Sequence, residues 1–166
     1  YHSEQPDALA QLAVIHAQFE IIHPFSDGNG RLGRIMIPLF LHEKKLLRRP
    51  TFYLSAWFEA HRDQYVRRLR ALKDGGDAWT AWCAFFLQGV EDQAVRNAQT
   101  VRAILDLYDR LKKEALELTH SQYAIPLLDQ AFRRPVFQSR HLDFGTRAPS
   151  RPAVATLVSG PSARIV

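Results

Sequence analysis

A chain of 166 residues, 46% of them hydrophobic, is long enough to bury the core of one domain, or of one domain and a small appendage. A single cysteine, Cys83, allows no internal disulfide, and no apolar run is long enough to cross a bilayer. The sequence shows no signal-peptide pattern, so we expect an intracellular protein in a reducing compartment.

The first predicted element is an amphipathic helix over residues 8–22. Its apolar side chains recur at three- and four-residue spacing: Leu9, Leu12, Ile15, Phe19 and Ile22. His23 follows the helix directly, and Pro24 disfavours the α conformation for His23 and lacks a backbone donor. The helix is therefore expected to end with the His23 imidazole at the mouth of a turn.

A glycine-rich turn and a second helix come next. Two turn dipeptides, Asp-Gly and Asn-Gly, occupy residues 27–30, and an apolar helical pattern resumes over residues 31–41, where Pro38 should kink the helix. The predicted order is helix, glycine loop, helix N-terminus. Because a helix N-terminus presents unpaired N–H groups and the positive end of the helix dipole, it favours an anion.

Two arginines occupy an unfavourable position in this second helix. Arg31 and Arg34 lie three residues apart in its first turn, where they oppose the dipole and each other by a few tenths to about 1 kcal/mol. A bound polyphosphate would remove the conflict and make both guanidinium groups its ligands.

Three better-known loops share this spacing and are excluded. Residues 28–33 spell the dinucleotide-binding fingerprint, but that fingerprint follows a strand, and here a helix precedes it. They also have P-loop spacing, yet Arg34 and Ile35 stand where Lys and Ser or Thr are needed. On a calcium loop, Phe25 and Met36 would take ligand positions that neither can fill.

The rest of the pattern is also helical. Residues 54–73 predict another long helix, residues 75–76 a turn, and residues 77–118 one long helix or two with a break near Gly89. Cys83 is expected to be buried. Aromatic side chains at helical spacing are assigned to the core rather than to a base-stacking surface: Trp57, Phe58, Trp79, Trp82, Phe85 and Phe86. Strand signals are nearly absent, so the predicted fold class is an all-α helical bundle.

The segment from His23 to Arg34 resembles the Fic family signature, His-Pro-Phe-any-Asp/Glu-Gly-Asn-Gly/Lys-Arg-two residues-Arg, and every fixed position is filled. The resemblance extends over residues 8–118 and predicts a Fic-type catalytic core over residues 1–118. Gly30 resembles the nucleotidyl-transferring members, because the Doc-type kinases of the family usually carry lysine there. Further similarity lies in residues 16–20, Tyr53-Leu54-Ser55, Tyr65 and residues 82–87.

The resemblance implies a cytoplasmic protein adenylyltransferase that moves AMP from ATP to a Tyr, Thr or Ser hydroxyl of a target protein. His23 is the implied general base, and histidine as a residue type can accept a proton near neutral pH. Asp27 would supply the hard oxygen that Mg²⁺ needs, with substrate phosphates and waters completing its octahedron. Both arginines would also stabilise charge on the leaving group. The implied nucleotide-binding residues are Gly28, Asn29, Gly30, Arg31, Gly33 and Arg34.

Less specific interpretations of single residues stay open. His23 taken alone would be a histidine favoured by the dipole at a helix C-terminus. Asp27 or Asn29 could be a helix cap or a turn residue. Phe25 is expected to be a buried anchor of the loop rather than a participant in the chemistry.

A second constellation on the first helix suggests a different site. His16, Glu20 and His23 share one helix face at four- and three-residue spacing, which could hold a transition metal. The proline turn redirects His23 away from that face, so the sequence favours the nucleotide site over a metal triad.

Residues 119–166 hold most of the positive charge, six arginines against two aspartates, which is +4 of the formal +5. The pattern allows a helix over residues 124–132, a short strand at residues 136–137 and helices from residues 139 and 150. This order resembles the winged-helix segment often appended to the Fic family, without room for a complete wing. DNA is therefore a candidate partner, with an interaction module or a solvated basic tail as alternatives.

The resemblance also implies parts that the sequence lacks. Family members carry more helices before the motif and a β-hairpin flap, so a chain that begins at Tyr1 is expected to be a fragment. Many members are silenced by a helix whose glutamate pairs with the second motif arginine, here Arg34. The nearest approximation, Ser55 to Glu59, lies within the core pattern, so an inhibitory element is expected in missing sequence or in a partner. The alternative function is a nucleotide-responsive DNA-binding or interaction protein without productive transfer.

Overall fold

The computed structural model describes residues 7–134, and these residues form six α-helices and no strand. The helices are α1 (Ala8–Ile22), α2 (Asn29–Glu43), α3 (Ser55–Ala60), α4 (Arg62–Ala71), α5 (Asp77–Thr119) and α6 (Ala124–Arg133). The expected all-α fold is confirmed. No helix within the described range is both long and apolar enough to cross a membrane. The internal contacts of the chain define two compact units, residues 1–98 and residues 99–166.

Helix α1 has the predicted bounds. Asp7 caps its first turn, because the Asp7 Oδ1 accepts from the backbone N–H groups of Leu9 at 2.9 Å and Ala10 at 3.2 Å. The helix ends where His23 adopts a left-handed conformation and its N–H donates to the Phe19 carbonyl oxygen at 3.0 Å. The expected stop at the His-Pro pair is therefore confirmed.

Helix α2 begins two residues earlier than the apolar pattern indicated, directly after Gly28. Gly28 has a φ of 83°, which is accessible to glycine at little cost, and this residue forms the N-cap. The helix then continues through Pro38 to Glu43. Gly33, Ile37 and Leu41 lie on its buried face, and α2 packs against α1.

The core of the first unit is built from aromatic and aliphatic side chains. Trp82 and Phe86 are completely buried, and Trp57, Phe58 and Phe85 are nearly so. The Trp82 Nε1–H is satisfied by the Ala13 carbonyl oxygen of α1 at 2.8 Å. Each such side chain contributes about 1.5–3 kcal/mol by leaving water. The aromatic core is confirmed, with Trp79 packed at its margin and Cys83 only half-buried.

The predicted helix over residues 54–73 is wrong as a single element. It is broken at His61, whose φ of −117° and ψ of 27° separate α3 from α4, and a 3₁₀ turn, Leu72–Asp74, follows α4. The His61 Nδ1–H donates to the Trp57 carbonyl oxygen at 2.9 Å, and the two rings stack at 4.3 Å. The Trp57 carbonyl oxygen also accepts from the His61 backbone N–H at 3.1 Å, so the break is confined to the backbone angles of His61.

Of the two alternatives for residues 77–118, one long helix is confirmed, because α5 runs from Asp77 to Thr119 without a break near Gly89. A Cβ atom at Gly89 would lie 2.6–2.8 Å from atoms of the Trp57 indole. Glycine is therefore needed there for the close approach of a ring, not for a turn. The Trp57 Nε1–H donates to Asp92 Oδ2 at 3.0 Å, which fixes the indole plane.

The second unit contains the end of α5 and all of α6. The Tyr108 hydroxyl donates to Asp129 Oδ1 at 2.6 Å, and the Tyr108 ring packs edge-on against Phe132 at 5.1 Å. The helix expected over residues 124–132 is confirmed as α6. The strand and the later helices predicted for the tail lie outside the described residues.

Candidate active site

The predicted general base is held at the end of α1 by main-chain contacts. His23 has φ 49° and ψ 57°, and its Nδ1 lies 3.4 Å from the carbonyl oxygen of Glu20. A carbonyl oxygen only accepts, so Nδ1 carries the proton in this contact. The Nε2 atom of the neutral ring is then left with its lone pair on an exposed side chain.

Asn29 holds the loop between the two helices closed. Its side chain is almost fully buried, with 2% exposed, although it stands at the first position of α2. The Asn29 Oδ1 accepts from the Phe25 N–H at 3.0 Å, and its Nδ2 donates to the Phe25 carbonyl oxygen at 2.6 Å. One side chain therefore satisfies both main-chain groups of Phe25 and fixes the distance from the base to α2.

Phe25 is not the buried anchor that the sequence predicted. The residue is 52% exposed, and its ring meets Phe19 only at a centroid distance of 6.4 Å. The anchoring is done by the Phe25 main chain through the Asn29 amide. The sequence alone could not show whether the ring of Phe25 or its main chain anchors the loop.

Asp27 projects from the loop into solvent. Its Oδ1 accepts from the Gly28 N–H at 2.6 Å, and its Oδ2 pairs with Arg31 at 3.3 Å. The side chains of both partners are largely exposed, 90% and 72% respectively. This pair offsets part of the unfavourable position of Arg31 near the α2 N-terminus. Neither Asp27 nor Asn29 is the helix cap, because Gly28 occupies that position.

The two motif arginines fold back across the loop glycines. A Cβ at Gly28 would lie 3.5 Å from the Arg31 Nη2, and a Cβ at Gly30 would lie 3.2 Å from the Arg34 Nη1. Helical side chains lean toward the helix N-terminus, so glycines in the first turn leave room for both guanidinium groups there. The N-cap residue of α2, Gly28, makes no side-chain cap hydrogen bond. The first backbone N–H groups of any helix lack intrahelical acceptors, and those of α2 lie in the same region.

Gly33 lies where α1 and α2 pack against each other. A Cβ there would collide with Oε1 of Glu20 and come within 3.4 Å of His16 Cε1. The residue is buried and lets α1 and α2 approach closely. The structure gives Gly33 this packing role, and its predicted contact with nucleotide stays a prediction.

His16 forms a buried polar contact behind the loop. Its Nδ1–H donates to the Gly33 carbonyl oxygen at 3.2 Å, and its Nε2 accepts from the Tyr65 hydroxyl at 3.1 Å. Its ring is stacked between Phe58 and Trp82. Burial, which the contact with Gly33 only partly opposes, lowers the pKa of His16 to about 4, so the ring is neutral.

These contacts exclude the metal triad that the first helix suggested. Both ring nitrogens of His16 have protein partners, and His23 turns away at the end of α1. No group of three His, Cys, Asp or Glu side chains within residues 7–134 is placed to hold a metal ion. A magnesium ion that accompanies substrate phosphates is a different case, because it needs only one or two protein carboxylates. The exposed Asp27 carboxylate fits that requirement.

Residues 23–27 of the loop are exposed. Two cavities of about 380 and 360 Å³ lie elsewhere in the first unit and are lined by side chains of α3, α4 and α5, without any motif residue. Sequence reasoning missed the roles of Asn29 and Tyr65. The only signal for Asn29 was its place between two glycines, and Tyr65 gave none beyond its family resemblance.

Parts of the chain are similar to known proteins. Residues 1–41 match the model of the Fic/DOC family. A stretch of 69 residues is 38% identical to a probable protein adenylyltransferase of Aquifex aeolicus (strain VF5). It covers 42% of this chain and 19% of that protein, so the match spans less than a fifth of the relative's length. Together the two matches and the complete motif support a Fic domain protein.

Proposed function

We propose that this chain carries the catalytic segment of a protein adenylyltransferase, which transfers AMP from ATP to a Tyr, Thr or Ser hydroxyl. The observation that carries the proposal is the convergence of a fixed histidine and two arginines on one open glycine loop. The similarity to a probable adenylyltransferase supports the same reaction class.

The proposed step assigns the proton to one atom. The target oxygen attacks the α-phosphorus while the bond from that phosphorus to the oxygen bridging to the β-phosphate breaks, and pyrophosphate leaves. The hydroxyl proton passes to His23 Nε2, which holds a lone pair because Nδ1–H is directed to the Glu20 carbonyl oxygen. A positioned base of this kind contributes about 10²–10⁴-fold to the rate.

The remaining groups would bind the triphosphate and stabilise the charge that develops on pyrophosphate. Arg31 and Arg34 donate from across Gly28 and Gly30, and the first N–H groups of α2 point into the same region. Asp27 would hold magnesium, which supplies further neutralisation of the phosphate charge when bound. For that ligand set to form, Asp27 must give up its exposed pair with Arg31, which costs at most about 1 kcal/mol.

Position 30 favours nucleotidyl transfer over phosphorylation in this proposal. The Arg34 Nη1 lies only 3.2 Å from the place of a Cβ at Gly30. A lysine there, as in the Doc-type kinases, would have to displace that guanidinium. With glycine, Arg34 can lie across the start of α2 and meet the phosphates.

The test is radiolabel transfer with magnesium and either α-labelled or γ-labelled ATP, using the chain itself and cell-lysate proteins as acceptors. The variant is His23→Ala, and His120→Ala is the matched control because His120 is an exposed histidine in the second unit. We expect α-label on protein with the wild type and the control, and at least 10²-fold less with His23→Ala.

Other outcomes would assign a different function. Label from γ-labelled ATP would indicate a phosphotransferase. Magnesium-dependent ATP binding without any transfer would favour the alternative of a nucleotide-responsive DNA-binding or interaction protein. A basic DNA-binding tail and an inhibitory partner stay predictions, since the tail beyond residue 134 lies outside the described residues.

A further inference from the structure

A groove runs between α4 and α5 in the first unit, and no motif residue lines it. It consists of the two cavities of about 380 and 360 Å³, which are continuous because Gln64, Arg68 and Ala81 line both. Along α5 the lining extends from Ala78 to Asp92, which is about 21 Å at the rise of an α-helix. An extended peptide of about six residues has the same length.

Small side chains line the groove on the α5 side. Ala78, Ala81 and Ala84 follow one another at three-residue spacing, so their methyl groups lie near one face of the helix. An alanine projects only one methyl group, so the main chain of a peptide can approach α5 closely. The α4 side carries longer polar side chains and one alanine: Gln64, Arg67, Arg68 and Ala71.

Arg68 places a cation in the middle of the groove. Its Nη1–H donates to the Ala81 carbonyl oxygen at 3.1 Å, and its guanidinium lies over the Phe85 ring, 5.3 Å from the centroid. The side chain is therefore held between α4 and α5. A guanidinium has five N–H donors in a planar fork, so Arg68 keeps donors for an acceptor that enters the groove.

Arg67 adds a second cation to the same wall. Its Nε–H donates to the Asp63 carbonyl oxygen of its own helix at 3.3 Å. Neither Arg67 nor Arg68 forms an ion pair within residues 7–134. Both positive charges are therefore available to an anionic partner.

The carboxylate that lines the groove belongs to Asp92, and it is already engaged. Asp92 lines only the first cavity, where its Oδ1 accepts from Gln88 Nε2 at 2.9 Å and its Oδ2 from Trp57 Nε1 at 3.0 Å. His61 lines the same cavity, and its Nδ1–H is donated to the Trp57 carbonyl oxygen. The unpaired charge of the groove is thus positive and lies on its α4 wall.

We propose that this groove binds an acidic peptide segment of a partner protein, with carboxylates on Arg67 and Arg68 and the peptide main chain against the alanines of α5. Guanidinium and carboxylate groups form charge-assisted, often bidentate hydrogen bonds. The length of the groove and its row of small side chains fit a peptide, whereas a compact anion would occupy only a fraction of it. The proposal does not depend on the proposed transfer reaction, because no motif residue takes part.

The first test is fluorescence anisotropy with a labelled peptide of about eight residues in which glutamate and alanine alternate. The full chain is compared with a double variant, Arg67→Gln with Arg68→Gln. The matched control is Arg48→Gln with Arg49→Gln, which removes the same charge from another pair of adjacent arginines. We expect binding to weaken at least about ten-fold in the groove variant and to stay near the wild-type value in the control.

A second variant changes the space of the groove and keeps both arginines. Ala81→Leu adds bulk at an exposed position of α5, so the helix tolerates it, but the new side chain occupies the middle of the groove. We expect several-fold weaker binding of the same peptide, with unchanged circular dichroism. In NMR spectra of the wild type, the peptide should shift the amide resonances of Gln64, Ala81 and Gln88.

Three results would overturn the proposal. The wild type does not bind the acidic peptide, or both arginine pairs weaken binding equally, which indicates attraction by net charge alone. In the third case, binding survives both groove variants and is lost in Arg31→Gln with Arg34→Gln, which would assign the peptide to the motif. None of these results bears on label transfer, so the groove and the proposed function are tested separately.

Discussion

At the scale of single residues, the sequence indicated which side chains border the loop, but not what holds the loop closed. His23, Arg31 and Arg34 border one loop because motif spacing on two consecutive helices is a local property, and their part in the chemistry stays a prediction. The role of Asn29 could not be predicted, because an asparagine in this motif can be either a buried residue that holds the main chain or an exposed ligand of a phosphate. Its two bonds to Phe25 are visible only in the structure.

Replacing Asn29 should therefore destabilise the fold as well as the site. In Asn29→Ala, the Phe25 N–H and carbonyl oxygen lose their partner, and we expect the free energy of unfolding to fall by about 1–3 kcal/mol. Urea unfolding measures this. The control is Asn97→Ala on α5, which removes one bond from Gln93 and should cost only a few tenths of a kcal/mol. Equal stability of the two variants would show that the loop does not depend on Asn29.

An aspartate at position 29 should make the stability of the loop depend on pH. In Asn29→Asp, an oxygen takes the place of Nδ2, 2.6 Å from the Phe25 carbonyl oxygen. When that carboxyl is protonated it can still donate, and when it is ionised the two oxygens repel each other. Stability relative to the wild type should therefore fall as pH rises from 4 to 8, measured by urea unfolding. A constant difference would contradict the donor role of Nδ2.

At the scale of elements, bounds set by local signals were predictable and bounds set by distant packing were not. The ends of α1 follow from Asp7 and the His-Pro pair. The break at His61 has no glycine or proline in the sequence to indicate it. Gly89 suggested a break as one alternative, but in the structure it makes room for the Trp57 ring. A sequence does not distinguish a glycine that makes room for a ring from a glycine that ends a helix.

Gly89→Ala should destabilise the first unit although alanine is the better helix former. The new Cβ would meet the Trp57 indole at 2.6–2.8 Å, and that ring is fixed by Asp92 and by stacking on His61. We expect a loss of about 1–3 kcal/mol in urea unfolding with a change in tryptophan emission. Gly30→Ala is the matched control, because its Cβ meets only the mobile tip of Arg34 and should change stability by less than about 1 kcal/mol.

At the scale of the whole molecule, the fold class was predictable because helical apolar periodicity without strand signals runs through residues 8–118. The fold of the tail, residues 119–166, could not be predicted in the same way, because its arginines and prolines are compatible with several structures. Its later elements lie outside the described residues. A predicted boundary near residue 118 likewise stays a prediction, while contacts group residues 1–98 and 99–166. Charge and composition indicate a class of partner, not an arrangement of helices.

Stability of the fold should depend on His16 in acid. Its pKa is about 4 in the folded protein and near 6.5 in an unfolded chain, so the unfolded state gains a proton first as pH falls. This contribution, about 2–4 kcal/mol, is present above pH 6.5 and is lost between pH 6.5 and 4. The raised pKa of Glu20 acts in the opposite direction, so the comparison needs a variant at position 16.

The measurement is urea unfolding at several pH values in that window. His16→Gln should be less stable than the wild type at neutral pH but should show a shallower pH dependence. His120→Ala, changed at an exposed residue, should keep the wild-type slope. An unchanged slope in the Gln variant would mean that His16 is not the group that titrates.

The left-handed backbone at His23 has a practical bearing on how an inactive reference protein is best prepared. A φ of 49° is populated several-fold more often by asparagine and histidine than by most other non-glycine residues, alanine included. His23→Ala therefore removes the base but also adds strain at the point where the loop begins. His23→Asn also removes the base, but asparagine readily adopts the left-handed conformation. This variant is therefore the better choice for trapping an intact nucleotide in a crystal.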